Sequence, residues 1–239
     1  MLSVQDVSAG YGRLQILNDV SIEADKAQIT VVVGPNGSGK STLLKTVAGL
    51  TTLFRGTIIF DSERISGLPS FRIARKGLAY LPQTESVFTQ LTVSENMKMA
   101  SYTVPKEEFD SRLQSALEMF PQLNSYMHQK VDRLSGGERQ MVAMSMALIR
   151  KPKMIMFDEP TANLSPKLAT QVLKNIESLA KNLGMGVVLV EQNARRALEI
   201  GDKAYLLVSG RKVFEGGAKE LLEHQELAQM YLGLKTAQN

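Results

Sequence analysis

The chain has 239 residues, 28 Lys and Arg against 24 Asp and Glu, a formal charge of +4, and no cysteine. At 44% hydrophobic and 22% charged it can bury a proper core, which excludes a disordered, collagen-like or disulfide-stapled chain. Thiolate chemistry and Cys-based metal sites are excluded too, and His128 and His224 stand too far apart to suggest a multi-His site.

A prior of roughly 150 residues per domain allows one large domain or two small ones. No run approaches the ~20 apolar residues of a spanning helix. The N-terminal segment MLSVQDVSAG has neither a basic head nor a long apolar stretch, so no signal peptide is expected. Lys and Arg are dispersed, with only short pairs such as Arg195-Arg196. The basic excess therefore reads as a solvated surface and not as a nucleic-acid or membrane patch.

Val20, Ile22 and Ala24 alternate with Ser21, Glu23 and Asp25, as in a half-buried antiparallel strand. Ile29–Val33 is a continuous β-branched run, expected of a strand covered on both faces. A Gly-rich turn follows, and then residues 40–50 carry Leu43, Leu44, Val47 and Leu50 on one helical face. Between residues 87 and 151 the strand signal vanishes. Thr92-x-x-Glu95 is a capping box, Pro105 sits as a first-turn proline, and seven of the twelve Met fall here. Met141, Met144 and Leu148 share a helical face and read as core filling, while some of Met97, Met99 and Met127 could instead line an adaptable groove for a membrane partner. Residues 153–157 predict a strand, 166–183 a helix with Leu168, Val172, Ile176 and Leu179 in register, and Gly186–Val190 another buried strand. Asn193 can cap the next helix, and residues 204–208 and 211–214 suggest a closing hairpin around Ser209-Gly210. Alternating strands and helices predict an α/β fold with a mostly parallel sheet and right-handed crossovers.

Gly34-Pro35-Asn36-Gly37-Ser38-Gly39-Lys40-Ser41 matches the phosphate-loop pattern G-x-x-x-x-G-K-[ST], and Thr42 follows it into the helix. Glycines let backbone N–H groups converge on phosphate oxygens at a helix N-terminus. Lys40 supplies a charge for the β- and γ-phosphates, and the Ser41 hydroxyl can ligate Mg²⁺. The alternative, a plain Gly-rich turn, is weakened by the strand before and the helix after. Met154-Ile155-Met156-Phe157 ends in Asp158 and Glu159. Asp158 can hold Mg²⁺ through water, and Glu159 can polarise an attacking water. Leu134-Ser135-Gly136-Gly137-Glu138 is a capping box on one reading; on the other, its two glycines let a γ-phosphate approach the helix start.

Taken together, these three motifs resemble the ATP-binding subunit of an ABC transporter, over essentially the whole length. The resemblance implies a single ABC ATPase domain: a P-loop NTPase core over residues 1–86 and 152–239, with an antiparallel β subdomain, and an inserted all-helical subdomain over 87–151. It implies that Tyr11 stacks on adenine with Ile16 packed beside it, and that Gln83 touches Mg²⁺ and links the nucleotide to the helical insertion. It further implies two such subunits closing head to tail on ATP, with Ser135, Gly136 and Gly137 of one completing the phosphate site of the other. Transmembrane permease subunits would be separate partners, a solute-binding protein an indirect one, and nucleic acid none. The expected location is cytoplasmic, peripheral on the inner face of the cell membrane.

Leu189-Val190-Glu191-Gln192-Asn193-Ala194, Tyr231-Leu232-Gly233 and Gly67-Leu68-Pro69 are similar to the smaller ATPase subunit of branched-chain amino-acid importers. Gln83 departs from the glutamate often seen in that subgroup. Gln192 stands where the wider family has a histidine, and is expected to contact the γ-phosphate as a neutral donor. Ser165 stands where an aspartate is common, yet keeps the role of a helix N-cap before Pro166. The alternatives within the family are another solute, lipid export, or a non-transport ATPase acting on nucleic acid. The last of these usually carries a coiled-coil insertion or tandem ATPase domains, which this sequence lacks.

Overall fold

The computed structural model describes residues 1–84 and 86–232, so Gly233 of the Tyr231-Leu232-Gly233 stretch lies outside the described residues. The chain begins with a hairpin of β1 (Leu2–Tyr11) and β2 (Leu14–Ala24), and β3 (Ile29–Val33) then leads through the Gly-rich loop into α1 (Lys40–Val47). β4 (Thr52–Phe60), β5 (Glu63–Arg64), α2 (Ser70–Arg75) and β6 (Leu78–Leu81) follow. Next come α3 (Val93–Ala100), α4 (Lys106–Met119) and α5 (Gly136–Ile149), joined by 3₁₀ turns at Pro121–Tyr126 and Val131–Arg133. The remaining elements are β7 (Met154–Asp158), α6 (Pro166–Lys181), β8 (Gly186–Val190), α7 (Ala194–Ile200), β9 (Lys203–Val208), β10 (Arg211–Gly217), α8 (Ala218–Glu223) and α9 (Gln225–Leu232).

Strands divide into two sheets. One is antiparallel with order β2-β1-β4-β5, and the other has order β10-β9-β3-β8-β7-β6. In the second, β6, β7, β8, β3 and β9 run parallel, and β10 closes the edge antiparallel to β9 as the expected hairpin. The reason β3, β7 and β8 read as unbroken apolar runs is now visible: each is covered on both faces. Ile29, Val31 and Val33 point with Ile155, Phe157, Val187 and Leu189 into a core shared with α5, α6 and α7. Val32, Met154, Met156, Val188 and Val190 point the other way, against α1 and the antiparallel sheet.

Caps behave as their residue types require. The Thr92 and Ser135 hydroxyls accept from the Glu95 and Glu138 amides in reciprocal capping boxes, and Ser165 and Asn193 cap α6 and α7. Several expectations need correction. α1 stops at Val47 and not at residue 50, because Gly49 turns left-handed (φ 72) against the Leu68 carbonyl, as a helix-ending glycine does. α6 likewise ends at Lys181. Pro105 occupies the N-cap position of α4 with an extended ψ of 136°, one residue before the first turn. β7 is shifted by one residue, since Asp158 still pairs with Val190. Met144 and Leu148 are core residues as expected, but so is Met97, which is fully buried and lines no groove. β1, β4 and β6 gave no clear sequence signal. β1 breaks its alternation at register shifts on either side of Val7, with Asp6 at φ 49, so period two never persists long enough to read.

Candidate nucleotide site

The phosphate-loop motif, the acidic pair and Gln192 lie at or just after the carboxyl ends of the neighbouring parallel strands β3, β7 and β8. From β3 the chain turns at Gly34 (φ 150), whose missing side chain makes room for the Leu207 carbonyl: an added Cβ would lie 2.0 Å from that oxygen. The loop closes through Ser38 N–H donating to the Pro35 carbonyl (3.2 Å), and Gly210 N–H donates to the Ser38 carbonyl (3.0 Å). Gly39 then serves as a left-handed N-cap (φ 101), and α1 starts at Lys40. Ser38 Oγ is buried with no hydrogen-bond partner among the described residues. An orphaned hydroxyl inside a glycine-rich loop is what an anion cradle leaves open.

Lys40 is 4% exposed, and its Nζ donates to the Gly34 and Pro35 carbonyls at 2.9 and 3.0 Å. Burial pulls its pKa below that of an ordinary lysine, while the charges of Glu159 and Asp158 oppose the shift. Ser41 Oγ donates to Asp158 Oδ1 at 2.8 Å, bringing the helix start and the β7 end together. Glu159 is held in a left-handed backbone conformation (φ 48), with its amide on the Val190 carbonyl. Its carboxylate Oε2 accepts from Gln83 Nε2 at 3.3 Å.

These residues border a cleft of about 410 Å³ lined by Tyr11, Ile16, the loop from Asn36 through Thr42, Glu159 and Gln192. Tyr11 and Ile16 reach it from the β1–β2 hairpin, and Tyr11 is 44% exposed. Gly34 and Asp158 lie just behind the lining, and Gln83 joins through Glu159. Ser135, Gly136 and Gly137, at the start of α5, are not part of the lining. In this chain the two glycines face Leu164 and Leu168: a Cβ on Gly136 would lie 2.5 Å from Leu164 Cδ2, and one on Gly137 3.1 Å from Leu168 Cδ2.

Two residues escaped the sequence reading. Tyr80, on β6, donates its hydroxyl to Asp158 Oδ2 at 3.0 Å; burial first, and then the Asp158 charge, push its pKa well above the ordinary phenol range. Glu191, 2% exposed, accepts the Thr161 amide at 3.0 Å and so ties the loop after Glu159 to the end of β8. Its carboxyl is raised, chiefly by burial. Only the adjacency of β6 to β7, and of β7 to β8, could have pointed to either.

The loop, the lysine, the paired acids and the parallel sheet define a phosphate-loop NTPase. The sequence pattern of the ABC transporter family matches residues 17–162. The chain belongs to that family, as one of its ATP-binding cassettes. It is 51% identical over 234 residues to the probable branched-chain amino acid transport ATP-binding protein LivF of Archaeoglobus fulgidus, covering 98% of this chain and 99% of that one. To the high-affinity branched-chain amino acid transport ATP-binding protein BraG of Pseudomonas aeruginosa it is 41% identical, covering 98% and 100%. Among solved structures, the ADP conformation of an ABC transporter cassette superposes with a TM-score of 0.84 at 26% identity, covering 96% and 97%.

Proposed function

We propose that this cassette hydrolyses ATP to power import of branched-chain or closely related amino acids through separate membrane subunits. One observation carries the chemistry: Lys40 and Ser41 at the start of α1 and Glu159 just after β7 line one cleft, with Asp158 hydrogen-bonded to Ser41 beside it. Full-length similarity to two branched-chain amino acid transport ATP-binding proteins supports the solute class.

In this reading the Asn36–Thr42 amides and Lys40 hold the phosphates, and the free Ser38 hydroxyl and Gly37 with its open Cβ side fit that role. Tyr11 and Ile16 receive the adenine. Ser41, Asp158 and Gln83 offer only oxygen ligands, the donor set Mg²⁺ prefers, and would hold it. When bound, that ion neutralises charge on the β- and γ-phosphates. Glu159 accepts the proton of the attacking water, and Gln192 donates a hydrogen bond toward the γ-phosphate. Ser135, Gly136 and Gly137 serve a second cassette, homologous or identical, packed head to tail. That they lie outside their own chain's cleft, with Ser135 and Gly136 exposed, fits this role. The stretch 87–151, all helical between β6 and β7 apart from one isolated bridge, forms a subdomain that moves with Gln83. Permease subunits and, through them, a solute-binding protein are the partners, which places the cassette on the cytoplasmic face of the membrane. No helix among the described residues is long and apolar enough to cross it.

The test is Glu159→Gln, assayed for labelled leucine uptake in vesicles holding the complete transporter and for ATP-dependent dimerisation by light scattering. Uptake should vanish while ATP traps a dimer of cassettes. Uptake at the parental rate would overturn the assignment of Glu159, and a transporter that hydrolyses ATP without moving leucine, isoleucine or valine would overturn the solute class.

A further inference from the structure

Asp158 is 4% exposed, and both of its carboxylate oxygens are held: Ser41 Oγ donates to Oδ1 at 2.8 Å and Tyr80 Oη to Oδ2 at 3.0 Å. The two hydroxyls come from different elements, α1 and the edge strand β6. The terminal torsion of an aspartate is soft and roughly two-fold, so one hydrogen bond leaves the carboxylate plane free to turn. A second, on the other oxygen, stops it. Tyr80 can do this because β6 pairs in parallel with β7, Tyr80 opposite Met156, which puts its ring beside the β7 end. A half-buried phenol needs a partner for its hydroxyl, and Asp158 is the partner it has. Three residues further along, Gln83 Nε2 reaches Glu159 Oε2, so the exit of β6 contacts both acids at the end of β7.

We infer that Tyr80 is a positioning residue for the metal-holding carboxylate: its hydroxyl fixes the orientation in which Asp158, with Ser41, receives a divalent cation. This rests on the proposed role of Asp158 toward Mg²⁺. Polar groups behind metal ligands typically change metal affinity by about 10- to 100-fold when removed. The hydroxyl acts on the carboxylate and does not line the nucleotide cleft, so its loss should weaken the metal and spare metal-free nucleotide.

The experiment compares the full chain with Tyr80→Phe, which keeps the ring and its packing, and with Asp158→Asn. Mn²⁺ binding is measured by the electron paramagnetic resonance of the free ion at saturating non-hydrolysable ATP analogue. Analogue binding in chelator and thermal unfolding are measured alongside. Tyr80→Phe should weaken Mn²⁺ binding about tenfold or more, with analogue affinity in chelator unchanged. A purely structural tyrosine would instead lower the unfolding temperature and weaken both affinities together, which overturns the inference. Parental Mn²⁺ affinity in Tyr80→Phe, while Asp158→Asn loses it, overturns the inference and leaves the metal site standing. Parental Mn²⁺ affinity in Asp158→Asn removes the metal site itself, and the inference with it.

Discussion

Lys40→Ala is the sharpest test of the phosphate site. The ammonium is nearly buried and anchored on two loop carbonyls. An ammonium has three donors, so one remains for a phosphate without breaking either anchor. Burial favours the neutral amine, but Glu159 and Asp158 favour the cation, and an anionic ligand would favour it further. A unit charge about 4 Å from a phosphate oxygen is worth about 4 kcal/mol at an effective dielectric of about 20. Removing it should therefore weaken ATP binding about a thousandfold, at about 1.4 kcal/mol per decade. The fold should survive, since the cleft is open enough for water to solvate the two freed carbonyls. Isothermal titration with ATP and Mg²⁺ measures the affinity, and circular dichroism checks folding. An affinity within tenfold of the parent, in a folded variant, would refute the electrostatic argument and with it the position assigned to the phosphates.

Gln192→Ala should lower ATP turnover by about tenfold or more in the complete transporter, since a hydrogen bond to a charged group is worth about 1.5–3 kcal/mol; unchanged turnover would return Gln192 to the role of a strand terminus. Gly39→Ala places a side chain at φ 101 with its Cβ 2.7 Å from Leu17 Cδ2. It should cost about 1–3 kcal/mol in denaturant titration as well as ATP affinity. Glu215 is depressed to about 2 by hydrogen bonds from Lys212 and Lys203. Its contribution to stability is present above the ordinary carboxylate pKa of 4.5 and lost as pH falls toward about 2, so Glu215→Gln should flatten this part of the acid-unfolding curve. Because the side chain is 39% exposed, added salt should shrink the difference. Glu191 is shifted the other way. Its contribution is fullest below its ordinary pKa and falls as pH rises through the raised one, so Glu191→Gln, whose amide oxygen still accepts the Thr161 amide, should raise the unfolding temperature at neutral pH. No gain there would show that the buried carboxylate is compensated by groups other than Thr161.

Local patterns were enough to locate the phosphate loop, the acidic strand end, four helix caps and the three strands buried on both faces. Each depends on residues within one or two turns of one another: a glycine that must adopt a left-handed φ, a hydroxyl three residues before the amide it caps, an apolar run that only a doubly covered strand would carry. The hydrogen bonds that shape the site are of another kind. Ser41 meets Asp158 across 117 positions of sequence, and Tyr80 meets the same carboxylate across 78. Which strand lies beside β7, and whether Tyr11 faces the loop, follow from the sheet order β10-β9-β3-β8-β7-β6 and from the antiparallel sheet laid over α1. β1 went unread, and the burial of Met97 was not legible, for the same reason. Bulges erase the alternation of one, and burial of the other is set by helices packed around it and not by its own neighbours in sequence. The residues of the phosphate loop and the acidic strand end were therefore legible one by one, because each sits in a motif its own backbone demands, whereas Tyr11, Ile16, Gln83 and Gln192 entered only through the family resemblance. The contacts that orient them belong to the tertiary structure, because a hydrogen bond between distant segments leaves no periodic trace in either.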